Sequence, residues 1–170
     1  MPAVPPTTTR LGLPRFASDQ SVAGLPAAMN SITDSIDEEV GGQWEPYSPV
    51  WSQSGGSALD IGEGVLSGRY RRSGQTVYWS IYWERGTGTN VGSGNFYLFT
   101  LPPVAPLSWN RHSGSLAMTR NTAHYGGTVF PTSSTTVGAI TPGGRVSHIV
   151  PTDQHALGDW MILTGVYEAA

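Results

Sequence analysis

Residues 75–84 set the tightest constraint on what this chain can become. Val77, Trp79, Ile81 and Trp83 fall in one phase of a two-residue period, and Tyr78, Ser80, Tyr82 and Glu84 fall in the other. Successive side chains of a strand point to opposite faces, so this alternation predicts a strand and excludes a helix over the same span. Just before it, Leu66, Gly68 and Tyr70 alternate with Ser67, Arg69 and Arg71, and Ser73-Gly74 reads as a hairpin turn. Asn95 to Leu101 sets Phe96 and Leu98 against Tyr97 and Phe99. Further strands are predicted over 47–52, 114–119, 126–131, 134–140, 145–150 and 159–167. Gly86 to Gly94 forms a glycine-rich loop between two of the clearest strands. Short strands at this spacing predict an all-β domain, an antiparallel β-sandwich of jelly-roll type, over residues 43–170. Aromatics occupy both phases of 75–84 and 95–101. One phase fills a core, and the other is a candidate subunit interface or ligand surface.

Composition narrows the alternatives. Gly 22 and Pro 13 make up about a fifth of the 170 residues, charged residues only 12%, and there are six Trp. A disordered chain is charged and poor in aromatics, which is the reverse of this pattern. The nine basic residues are all Arg, and the net charge is -3. Phosphate neutralisation requires a basic face, so no nucleic-acid partner is expected. With Cys 0, no disulfide or thiolate chemistry is available. No apolar run is long enough to span a membrane as a helix, and no signal peptide is recognisable at the N-terminus.

The N-terminal quarter follows different rules. Residues 1–24 hold four prolines and no helical or strand period, which predicts an extended arm. Leu11, Leu13 and Phe16 are its candidate docking residues. Residues 25–42 predict one short α-helix, with Pro26 in the first turn and Gly41-Gly42 as the stop. Leu25, Met29, Ile32, Ile36 and Val40 form a single narrow apolar stripe. Such a stripe suits either packing back on the β domain or a parallel bundle with other copies, an oligomerisation seam.

Chemistry-bearing patterns are sparse. His112, His124, His148 and His155 show no metal-ligand spacing, and Asp60 with Glu63 reads as a turn carrying two solvated acids. No nucleophile elbow or phosphate-binding loop is present. The expectation is a protein that is not an enzyme and takes no cofactor and no metal. The aromatic set Trp44, Tyr47, Trp51, Tyr78, Trp79, Tyr82, Trp83, Trp109 and Trp160 is the one feature suited to binding. Exposed Trp and Tyr offer platforms for sugar rings, and Tyr82 with Trp83 beside the glycine-rich loop are the candidate glycan contacts.

Several motifs taken together resemble a β module of virion proteins from tailed phages of actinobacteria. They are Trp44-Glu-Pro-Tyr-Ser-Pro-Val-Trp51, Ile61-Gly-Glu-Gly-Val-Leu-Ser-Gly-Arg-Tyr-Arg-Arg-Ser-Gly74, Gly92-Ser-Gly-Asn-Phe-Tyr-Leu-Phe-Thr-Leu-Pro102 and Leu157-Gly-Asp-Trp-Met-Ile-Leu-Thr-Gly-Val-Tyr-Glu-Ala-Ala170. Leu11-Gly-Leu-Pro-Arg-Phe16 is similar to the attachment region of minor tail and fibre proteins. The resemblance implies a virion structural protein, a homotrimer partnered by tail, baseplate or major capsid proteins and by host-surface glycan. It is made in the host cytoplasm and assembled into the particle. The alternatives are a capsid decoration protein and a free carbohydrate-binding module. The exclusive use of Arg fits the high-GC coding that the resemblance implies.

Overall fold

The computed structural model describes residues 42–55, 59–108, 112–151 and 155–170. The expected arm with Leu11, Leu13 and Phe16, the helix stripe Leu25, Met29, Ile32, Ile36 and Val40, and Trp109 lie outside the described residues. The chain divides into two compact units, and the β head is the one comprising Trp44–Arg71 with Gln75–Ala170.

Ten strands form among the described residues: β1 (Glu45–Tyr47), β2 (Trp51–Gln53), β3 (Val65–Ser73), β4 (Thr76–Glu84), β5 (Tyr97–Thr100), β6 (His112–Arg120), β7 (Ala123–Pro131), β8 (Thr136–Thr141), β9 (Gly144–Arg145) and β10 (Trp160–Glu168). They join in one antiparallel sheet of order β1-β3-β4-β10-β6-β7-β8-β5-β2, with β9 paired to β8. The all-β expectation stands. The two separate sheets of a jelly-roll sandwich do not appear, because one path of hydrogen-bonded neighbours runs through nine of the strands and β9 joins it at β8.

Why that sheet curls can be read from its two ends. β1 and β2 are the first and last strands of the path, yet only residues 48–50 separate them in sequence. A linker that short reaches at most about 14 Å. A flat sheet of this width would hold the two ends several times farther apart, at nearly 5 Å per strand. The sheet therefore curls into a half-barrel. Thr100 of β5 clasps the closure. Its carbonyl accepts from the Tyr47 hydroxyl at 3.3 Å, its Oγ1 accepts from Val50 N at 2.7 Å, and its amide donates to Val50 O at 3.1 Å.

The concave side is the core. Val77, Trp79, Ile81 and Trp83 of β4 are 0–1% exposed, joined by Tyr97 and Phe99 of β5, Leu116 and Met118 of β6, and Met161, Leu163 and Tyr167 of β10. Trp51 meets Trp83 and Tyr97 edge-on, each at 5.2 Å between centroids, tying β2 and β5 to β4 across the interior. Edge-to-face contact is a favoured aromatic arrangement. Space for these rings comes from missing side chains. A Cβ on Gly165, which faces Trp79 across the β4–β10 ladder, would lie 2.5 Å from the indole, and one on Gly68 would lie 2.5 Å from the Tyr47 ring.

Two predicted strands are corrected. The span 47–52 divides into β1 and β2 around Pro49, which has no N–H to donate to a ladder. The span 145–150 is not a strand beyond Arg145. The Arg120 guanidinium donates to the carbonyls of Ser147 and His148 at 2.9 and 2.7 Å, and Ser147 Oγ accepts from the amides of Ile149 and Val150. Side chains thus satisfy the backbone groups that a ladder would have used, and the segment turns instead.

Candidate functional site

The phase of β4 that faces away from the core points to the convex side of the half-barrel. Tyr78 is 38% exposed there, and Ser80 and Tyr82 are half-buried. β10 supplies Ile162 opposite Tyr82 and Thr164 opposite Ser80, and β3 supplies Ser67 and Arg69 in the same phase. Ser67, Gly68, Arg69, Ser80, Tyr82 and Ile162 line an open depression of about 360 Å³. Its groups are one cation, two aliphatic hydroxyls, a phenol and an aliphatic floor.

The Tyr82 hydroxyl donates to Glu84 Oε2 at 2.5 Å. That carboxylate, with a smaller contribution from burial, pushes the phenol up to about 12. Tyr82 is therefore a neutral ring locked in orientation by its own strand.

Next to the depression lies a ladder of cations and rings. The Arg69 guanidinium sits 4.8 Å from the Trp44 ring centroid, Arg71 sits 5.5 Å from the same ring, and Arg71 also sits 4.9 Å from Tyr78. Arginine stacks flat on aromatic faces while its N–H edges remain available. The geometry follows from register: β1 runs antiparallel to β3 with Glu45 opposite Tyr70, so the chain entering β1 brings Trp44 alongside Arg71. A similar cluster elsewhere places Arg145 4.7 and 5.2 Å from Phe96 and Phe130.

The predicted glycan pair separates. Tyr82 lines the depression, whereas Trp83 is 0% exposed and packs on Trp51 and His155 in the core. Adjacent strand residues face opposite sides, so the two could never share one surface. Asp60 and Glu63 are exposed; Glu63 lies in a turn, Asp60 forms an isolated antiparallel bridge with Asn90, and Asp60 Oδ1 accepts from Gly62 N at 3.0 Å. The histidines are scattered. His155 is buried between Trp83 and Tyr97, His112 packs on Tyr167, His124 is exposed near Trp160, and His148 Nδ1 lies 3.2 Å from Gly94 O. Burial and the nearby Arg120 and Arg85 lower His155 to about 3, and burial also lowers His112. Among the described residues no three His, Cys, Asp or Glu gather as a metal site.

In the sequence Trp44 and Tyr78 stand only as members of an aromatic set, Tyr82 is a candidate glycan contact paired with Trp83, and Arg69 and Arg71 have no role. The available signal was their shared phase on β3. What it lacked was the β1–β3 pairing that delivers Trp44 to them. Set beside known proteins, the chain matches no family model, no curated protein and no solved structure.

Proposed function

We propose that the chain is a non-enzymatic structural protein of a tailed-phage virion, of minor-tail or fibre type, whose β head is displayed for attachment to host-surface glycan. The observation that carries this reading is the convex face of β3, β4 and β10. It gathers an oriented tyrosine, stacked arginines and hydroxyl groups around an open depression, while the concave face is filled with packed rings. That is the layout of a scaffold that binds on its outside. The motif resemblance supplies the virion setting. The stripe Leu25, Met29, Ile32, Ile36 and Val40 would join three copies, with the arm around Leu11, Leu13 and Phe16 docking on the neighbouring virion protein.

Labelling of particles with an antibody to the β head tests the placement. Label at the tail is expected. Label spread over the capsid surface overturns the tail assignment in favour of a decoration protein. Light scattering of the full chain should give the mass of three copies, reduced by Ile32→Asp with Ile36→Asp. A one-chain mass for the unsubstituted protein overturns the trimer.

A further inference from the structure

We infer that the convex face of β1, β3 and β4 binds an acidic polysaccharide, with Arg69 and Arg71 taking its carboxylates and the Tyr82 depression seating a sugar ring. The inference rests on the reading of the head as glycan-binding, and it adds the charge class of the ligand and the residues that select it.

Two guanidiniums converge on a single indole, so their Cζ atoms lie no farther apart than the sum of 4.8 and 5.5 Å. Like charges held this close repel unless a counter-charge intervenes. The strand acids Glu45 and Glu84 are hydrogen-bonded to tyrosines: Glu45 accepts from the Tyr70 hydroxyl at 2.7 Å, and Glu84 accepts from Tyr82. Neither arginine has an acidic partner among the described residues. Stacking on Trp44 and Tyr78 fixes the guanidinium planes before any ligand arrives. An anion with two oxygens then meets a prearranged fork.

The neighbouring depression identifies what carries the anion. At about 360 Å³ it falls at the small end of ligand pockets. The Tyr82 ring and Ile162 suit the C–H face of a pyranose, and Ser67, Ser80 and the Arg69 edge suit its hydroxyls. An acidic peptide fits less well. The site lies on the face of the sheet, where the backbone groups of β3 are used by its neighbours on both sides, so a peptide main chain gains no ladder. A polymer of uronic acids offers a ring and a carboxylate at every step.

The test uses the full chain in affinity electrophoresis and calorimetry against three probes: polygalacturonate, neutral dextran and poly-glutamate. Polygalacturonate should bind, weaken as salt rises from 50 to 500 mM, and lose about tenfold or more in affinity with Arg69→Gln and Arg71→Gln combined. Arg69→Lys, which keeps the charge but not the fork, should fall between. Thermal melts of the variants confirm that each is folded. Unchanged polygalacturonate binding by the double variant overturns the inference, as does equal binding of poly-glutamate, which would make the partner an acidic protein. Dextran bound as tightly as polygalacturonate also overturns it, while the glycan-binding reading survives. Failure of all three probes overturns it and removes the glycan from the proposed function, while particle labelling still decides the virion assignment.

Discussion

On the inner phase of β4, Val77, Trp79, Ile81 and Trp83 are 0–1% exposed; on the outer phase, Tyr78 is 38% exposed and Tyr82 lines an open depression. Both phases carry two large aromatic rings. Inside, the rings are held by other rings and by glycines that make room for them. Outside, Tyr78 is held by Arg71 and Tyr82 by Glu84. The contrast teaches that aromatic content alone does not tell core from binding surface. The discriminating feature is the partner: apolar shape complementarity on one side, charge on the other.

This contrast can be broken or sharpened experimentally. The largest effect is expected from Trp83→Ala, which empties a fully enclosed site and should cost about 3–5 kcal/mol in denaturant unfolding. A loss below about 1 kcal/mol would mean that the inner face is not a packed core. Gly165→Ala comes next. Its new Cβ would fall 2.5 Å from the Trp79 ring and 2.8 Å from the Ser113 carbonyl oxygen, and overpacking of this kind costs about 1–3 kcal/mol; a melting temperature equal to that of the parent would refute the tight fit.

The third effect is pH-dependent. His155 titrates near 3 in the folded head against 6.5 for an ordinary histidine. Between these values the unfolded chain binds a proton that the folded chain refuses. Stability is therefore complete above pH 6.5 and declines as pH falls toward 3, by on the order of 1 kcal/mol per pH unit. His155→Gln should flatten that slope when denaturation midpoints at pH 4, 5, 6 and 7.5 are compared. Parallel curves for the two proteins would assign the acid sensitivity to other groups. The smallest stability effect belongs to the outer face. Tyr82→Ala should lower unfolding free energy by only about 1 kcal/mol, while weakening polysaccharide binding. A core-sized loss would place Tyr82 among the structural residues.

Much of the β head was legible because period-2 patterning is a local signal. Val77 through Glu84 declared their faces without any knowledge of neighbours, and the strands at 114–119, 126–131, 134–140 and 159–167 were placed close to β6, β7, β8 and β10. What stayed hidden was non-local. Nothing in residues 45–53 announces that β1 and β2 lie at opposite ends of one sheet, and that fact decides between two stacked sheets and a half-barrel. The turn after Arg145 depends on a guanidinium 27 residues away in sequence, so an apolar alternation there imitated a strand. The site shows the same division. Tyr82 and Trp83 were paired for their place beside the glycine-rich loop, although the alternation over 77–84 already set them on opposite faces. Arg69 and Arg71 acquire meaning only when β1 brings Trp44 beneath them.

The position of β10 has a consequence for how the head comes into being. Trp160–Glu168 is the last strand in sequence, yet it sits between β4 and β6 with a full ladder to each. During synthesis β1, β3 and β4 emerge early, and β4 has no strand ladder toward β6 until β10 has left the ribosome. The nascent chain therefore carries two unfinished sheet fragments with exposed edges, and the final segment welds them in one step. Such reliance on distant contacts places folding in the slow, millisecond-to-second class. It also makes the head an all-or-none product: a chain halted before Trp160 would have hairpins but no half-barrel.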